Sequence, residues 1–202
     1  GRRHTHMAHH WDFYKPVGWP SMGPIIDGPG SVKVYHRCLV ACQAALRSAG
    51  EGMWVDAHDH LVFHLGSSPK FVWHSFEQVV TAAHGEGTVS KEELAARFEH
   101  QVAPSLVLAS RIGPMHTAAT YVNLTSLLIH TSPAIGATIG VFSYGSGAGA
   151  SMYRLRIRGA ALVGGGLLAQ LDHRELHGTV AFTAICKRYL RTYGRFDWYP
   201  LV

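Results

Sequence analysis

Thr138-Ile-Gly-Val-Phe-Ser-Tyr-Gly-Ser-Gly147, closely followed by Ser151-Met-Tyr-Arg-Leu-Arg-Ile-Arg158, is the stretch on which the reading of this chain turns. Two runs of β-branched and apolar residues flank a Gly-Ser-Gly bend, a pattern that predicts strand, tight turn, strand. Chemistry can sit at such a turn, because residues without side-chain bulk let backbone N–H groups approach a ligand oxygen or an anion. The same residues also suit a plain hairpin with a glycine-rich bend, and glycine spacing alone does not separate the two.

Working outward, Tyr121, Leu124, Leu127 and Leu128 recur at helical spacing and predict a helix over 117–131 that packs on the sheet. On the other side, Arg154, Arg156 and Arg158 alternate as the solvated face of a strand would. Residues 159–170 form a glycine-rich connection, and a last helix covers about 179–190. Upstream, Ser90-Lys-Glu-Glu93 is a capping box that opens a short helix to about His100. Ser68 and Pro69 fit the cap and first turn of a helix running to about His84. Before it, Leu61-Val-Phe-His64 reads as a strand, which leaves His64 between a strand end and a helix N-terminus. That is a common place for a catalytic side chain in an α/β fold, and it equally suits a core histidine satisfied by one hydrogen bond.

Ser31 can cap a helix over 31–48, in which Val34, Cys38, Cys42 and Ala45 share a face. Nothing beside the two cysteines supplies a base or lowers a thiol pKa, so they read as buried small apolar residues. Residues 1–30, punctuated by Pro16, Pro20, Pro24 and Pro29, read as an irregular, packed opening segment. His4, His6, His9 and His10, and again Asp56, His58, Asp59 and His60, are ligand-type side chains at spacings too weak to specify a metal, and no metal site is expected. The strands near 60–64, 138–144 and 151–158 are expected in one mixed sheet, with helices over 31–48, 69–84 and 117–131 on its faces.

A chain of 202 residues can form one domain with a substantial core, burying about 70% of its unfolded surface. Charged residues at 15%, hydrophobics at 47% and 22 glycines exclude disorder and suit a layered sheet protein with modest solvent-facing surface, one built to be covered by another chain. A net charge of +5 and a pI near 9.3 suit an anionic ligand, whereas the scatter of Lys and Arg along the chain argues against nucleic acid. Three cysteines, an odd number, point to a reducing compartment. No apolar run is long enough for a membrane span. The chain has no initiator Met and opens mid-motif, as a processed, split or truncated product would.

Phe142-Ser-Tyr-Gly-Ser-Gly147, preceded by Ile-Gly-Val, resembles the late strand and turn of 3-hydroxy-3-methylglutaryl-CoA (HMG-CoA) synthases, enzymes of the thiolase fold. Other pieces resemble that family in the same order: Thr5-His-Met-Ala-His9, Asp12-Phe-Tyr-Lys-Pro16, Ile26-Asp-Gly28 with Tyr35, Val62-Phe-His64, Lys70-Phe-Val72, Gly113-Pro-Met115 with Thr117, Leu171-Asp-His-Arg174 and Arg191-Thr-Tyr193. They span nearly the whole chain and correspond to the C-terminal half of the family's sequence. The resemblance implies an α/β fold forming the C-terminal half of a thiolase-like architecture, a mixed sheet with helices on its faces, with residues 1–202 as a single domain.

In the family an acetyl group is carried on a cysteine, a glutamate removes a methyl proton, and the carbanion adds to acetoacetyl-CoA beside a histidine. Cysteine and glutamate belong to the N-terminal half, and no cysteine here matches that motif, so this chain alone has no nucleophile. The resemblance implies His64 as the catalytic histidine, Lys70 as a contact to CoA phosphate, and Ser143 and Gly145 in a turn facing the acyl oxygen. It carries departures too: one extra residue separates His64 from Lys70, a second family lysine is His74, and the family's substrate-contacting asparagine is Pro114, which offers neither an amide side chain nor a backbone donor. No covalently bound cofactor is expected, with a CoA thioester as possible substrate. Two readings follow. One is a divergent, non-catalytic or incomplete descendant that serves as a subunit of a larger assembly, mitochondrial given the basic pI; the other is the C-terminal half of an active HMG-CoA synthase completed by the missing half. Both expect a second protein chain or segment over the pocket and sheet edge, in a mitochondrial or cytoplasmic setting.

Overall fold

The computed structural model describes residues 2–21, 23–64, 68–159 and 166–193. In chain order its elements are β1 (Arg3–Met7), β2 (Phe13–Tyr14), β3 (Ile25–Ile26), α1 (Gly28–Ser48), β4 (His60–Val62), α2 (Pro69–His84), α3 (Lys91–Gln101), α4 (Val107–Ile112), α5 (Ala119–Thr131), β5 (Thr138–Gly145), β6 (Gly149–Arg156), α6 (Leu167–Asp172) and α7 (Thr179–Thr192). Single 3₁₀ turns occupy Ala103–Ser105 and His116–Ala118. Four strands make one mixed sheet in the order β1-β6-β5-β4, with β4 parallel to β5 and the other pairs antiparallel.

The β5–β6 hairpin forms as its alternation predicts, with Thr138 opposite Arg156 and Gly145 opposite Gly149. Period-two alternation sorts β5 between two cores. Phe142 and Tyr144 join Tyr35, Cys38, Leu39 and Phe76 of α1 and α2 on one face, while Ile139 and Val141 pack with Leu127 of α5 on the other. Gly140, on the α1 face, is a close-approach glycine: a Cβ there would stand 2.5 Å from Nε1 of the fully buried Trp54.

Several expectations are corrected. The opening segment is not irregular throughout: Arg3–Met7 pair with β6 as an edge strand, and Phe13–Tyr14 pair with Ile25–Ile26 in a two-stranded ribbon. Its prolines all lie beyond residue 15, so nothing removes a ladder donor from β1. Helix α1 is capped by Asp27, which accepts from Gly30 N at 3.0 Å, and Ser31 lies inside the first turn. Pro29 fits that turn because its missing N–H would have been unpaired there anyway. Tyr121 is exposed on α5, and the helix packs through Leu124, Leu127 and Leu128. The glycine-rich connection ends earlier than expected, since α6 begins at Leu167; residues 160–165 lie outside the described residues. Ser68 and Ser90 cap α2 and α3 as predicted, accepting from Phe71 N and Glu93 N. No helix among the described residues is long and apolar enough to cross a membrane.

Candidate functional site

His64 follows β4 and is buried, with 7% of its surface exposed. Two side chains from the first turns of α5, three residues apart and hence on one helix face, hold this strand end. Asn123 Nδ2 donates to the carbonyl of Phe63 at 2.8 Å, and the Thr120 hydroxyl lies 3.0 Å from His64 Nδ1. Burial, helped by the nearby His116 imidazole, pushes the His64 pKa down to about 4, so the ring is neutral at pH 7. With Nδ1 engaged by Thr120, Nε2 is the ring nitrogen left for a ligand. It donates to an oxygen if Thr120 gives its proton to Nδ1, and accepts a proton in the opposite tautomer.

A second cluster is built on Asp12, which is fully buried. Its Oδ2 accepts from the Tyr144 hydroxyl and from the Ser146 hydroxyl, each at 3.3 Å. Burial alone would raise this carboxyl; the Ser31 hydroxyl and the residue's own backbone N–H, with the hydroxyls of Ser146 and Tyr144, outweigh it and hold the pKa below the ordinary carboxylate value. Tyr144 is shifted the other way, upward, by burial and by the Asp12 charge. Its ring lies edge-on to His64 at 6.3 Å and edge-on to Tyr35 at 5.1 Å. Asp12 therefore ties the opening segment to the hairpin turn and fixes the aromatic wall beside His64.

His64, Tyr144 and Ser146 line a cavity of about 630 Å³. His64, Tyr144, Ser146 and His116 are among its polar lining residues, and much of the rest is apolar, with Phe13, Ile26, Phe71 and Met115 among the walls. Volume, apolar lining and a few convergent polar groups are those of a site for a mid-sized organic ligand. The positions of the predicted residues differ. His64 and Gly145 line the cavity. Ser143 does not: it lies within β5 opposite Ser151, because the strand runs through to Gly145 and alternation presents Tyr144 to the α1 face instead. Lys70 is exposed on the first turn of α2 and outside the lining, to which that turn contributes Phe71. Pro114 lines the wall.

Cys38 and Cys42 are fully buried, and burial pushes both thiols up, Cys42 to about 11, so neither supplies a thiolate near neutral pH. Among the described residues no group of three or more His, Cys, Asp or Glu side chains is arranged to hold a metal. Asp59 instead accepts from the backbone and hydroxyl of Thr138, and His58 is buried between the Trp54 carbonyl and Arg154 Nε. Asp12, Thr120, Tyr144, Ser146 and His116 were not singled out by the sequence reading. For Tyr144 and Ser146 the signal was present, since extending the β5 alternation by one residue puts them on the cavity side.

Residues 1–86 and 81–197 match the family model described as hydroxymethylglutaryl-coenzyme A synthase C terminal. The chain belongs to this family. Mouse mitochondrial hydroxymethylglutaryl-CoA synthase is 27% identical over 252 residues, covering 99% of this chain and 49% of the relative. The pig mitochondrial enzyme is 31% identical over 198 residues, covering 78% and 39%. The rat cytoplasmic enzyme is 27% identical over 208 residues, covering 83% and 40%. This HMG-CoA synthase C-terminal domain thus spans about half the length of the curated relatives it matches. The mouse alignment is longer than the 202 residues here, so that relative carries additional residues within the matched region. Among solved structures, MvaS in complex with 3-hydroxy-3-methylglutaryl coenzyme A superimposes with a TM-score of 0.72 at 26% identity, over 92% of this chain and 49% of that one. The curacin-pathway HMG synthase, solved with an acetyl donor carrier protein, reaches 0.81 at 22% identity over 91% and 44%, a likeness of fold. The domain is accordingly the C-terminal half of a thiolase-like fold.

Proposed function

We propose that this domain is the histidine-bearing half of an acyl-CoA condensing site of the HMG-CoA synthase type, working together with a region that carries the cysteine nucleophile and the acid–base carboxylate. The observation that carries the reading is His64, neutral and oriented by Thr120 at the wall of a cavity sized for an acyl thioester. A neutral imidazole whose Nε2–H points at a thioester or ketone oxygen stabilises the negative charge that develops there, a role worth about two to three powers of ten in rate. Gly145 and Ser146 line the same cavity and suit the acyl group, and the exposed Lys70, next to the lining residue Phe71, suits a CoA phosphate. A mitochondrial or a cytoplasmic setting, as its relatives have, fits a protein of this kind.

A second reading, that of a non-catalytic subunit of a larger mitochondrial assembly, is favoured by Pro114, which puts a residue with no donor on the cavity wall. The two are separated by assaying CoA release from acetyl-CoA and acetoacetyl-CoA with the full natural protein, or with the complex recovered from its source. Condensing activity that falls a hundredfold or more in His64→Ala is the expected result. Thioester binding without turnover, in a preparation shown to contain a nucleophile-bearing region, would replace it with the second reading. The 202-residue chain by itself is expected to form no acyl-enzyme, and intact-mass detection of an acetyl group on Cys38, Cys42 or Cys186 would contradict the requirement for a partner region.

A further inference from the structure

Among the described residues, two that are not glycine adopt positive φ, Ser132 at 45° and His116 at 50°. Ser132 has an ordinary reason: it is the left-handed cap that ends α5. His116 has no such role. It opens a 3₁₀ turn at the cavity wall, its ring 5.6 Å from that of Phe13, and neither ring nitrogen bonds to another described residue. If the chain needed only a left-handed residue here, glycine or asparagine would serve at less cost. A histidine kept in a sparsely populated backbone region at a cavity points to use of its side chain. The other titratable groups lining this cavity are Tyr35 on α1, His64 after β4, and Tyr144 on β5 with Asp12 behind it. The neighbouring Pro114 supplies no hydrogen-bond donor to the wall it shares with His116.

We propose that His116 is a second substrate-contacting imidazole of this site, which hydrogen-bonds the β-oxygen of a β-ketoacyl thioester while His64 engages the other end of the acyl group. The inference rests on the cavity's being an acyl-thioester site and assigns to His116 the discrimination between an oxygen-bearing acyl chain and a plain one. The dependence of the His64 shift on His116 agrees with two rings sharing one space.

The test uses the full natural protein, with acetoacetyl-CoA and butyryl-CoA as probes that differ at the β-carbon. His116→Asn is the variant, because asparagine tolerates the left-handed backbone while its shorter side chain does not reach the imidazole position. Expected is a five- to tenfold weaker binding of acetoacetyl-CoA with butyryl-CoA unchanged, the loss of about one neutral hydrogen bond. In parallel, the His64 Cε1–H resonance is expected to titrate at higher pH in the variant. Equal losses for both probes, no loss for either, or an unmoved His64 titration would overturn the inference alone. Wild-type protein that bound neither thioester would overturn the functional reading and this inference with it.

Discussion

Acidification from pH 7 to pH 5 reports directly on the environment assigned to His64. The ring is neutral in the folded protein, with its pKa pushed down to about 4 from the ordinary histidine value of 6.5. The unfolded chain takes up the proton first, so the stability that His64 contributes is present above pH 6.5 and is lost as pH falls toward 4. For a buried group, a displacement of this size amounts to about 3 kcal/mol once both states are protonated, and about 2 kcal/mol of it is gone by pH 5. His36, His58 and His60 are depressed in the same direction by burial, so acid destabilises the whole protein by more than His64 alone. Comparison with His64→Gln isolates the one term. Urea unfolding followed by tryptophan fluorescence should show wild type the more stable at pH 7, with that advantage shrinking by about 2 kcal/mol at pH 5, a relative midpoint shift of about 1 M. An advantage that stayed constant across this window would mean that the ring is solvated or charged in the native state, and the burial argument for a neutral His64 would fail.

Gly140→Ala should lower stability by about 1–2 kcal/mol, overpacking against Trp54 Nε1 at 2.5 Å and Leu61 Cδ2 at 2.9 Å outweighing the gain in strand propensity; an unchanged or raised urea midpoint would show that the indole can move aside. Thr120→Val keeps the shape of the side chain but leaves His64 Nδ1 buried without a partner, which costs about 1–3 kcal/mol and lowers the melting temperature by about 2–10 °C, with Thr120→Ser restoring it; a full-strength melt for the valine variant would sink the orienting role.

The hairpin, the capped helices and the strand before His64 were legible because each rests on local information: alternation, capping serines, small residues at a bend. What escaped was set by pairing across long separations. Nothing within Arg3–Met7 announces an edge strand; its partner lies in β6, and only that register makes it one. Asp12 looked like part of a loop, and its importance comes from Tyr144 and Ser146, which no local spacing connects to it. Ser143 was misplaced for a different reason. The glycines after it suggested that the turn began early, whereas the ladder runs to Gly145 and two-residue periodicity then decides which side chain meets the cavity. His64 and Gly145, which the resemblance named, both line the cavity, but it carried no information on His116, whose backbone conformation is visible only in three dimensions.

The clasp between the opening segment and the hairpin affects how the protein comes into being. Past the end of β1, Ala8 exchanges backbone hydrogen bonds with Ala148, and His10 N donates to the Gly147 carbonyl. One side of the cavity is thereby stitched from two parts of the chain that are synthesised more than a hundred residues apart. Until β6 has emerged, β1 has no strand to pair with, and Asp12 has neither Tyr144 nor Ser146 to accept from. Closing so large a loop is slow relative to forming the helices in between. During synthesis, therefore, the helical layer can consolidate while the cavity waits, and for that interval an unpaired strand that ends in Met7, with Trp11 just beyond it, is presented to whatever chaperone stands nearest.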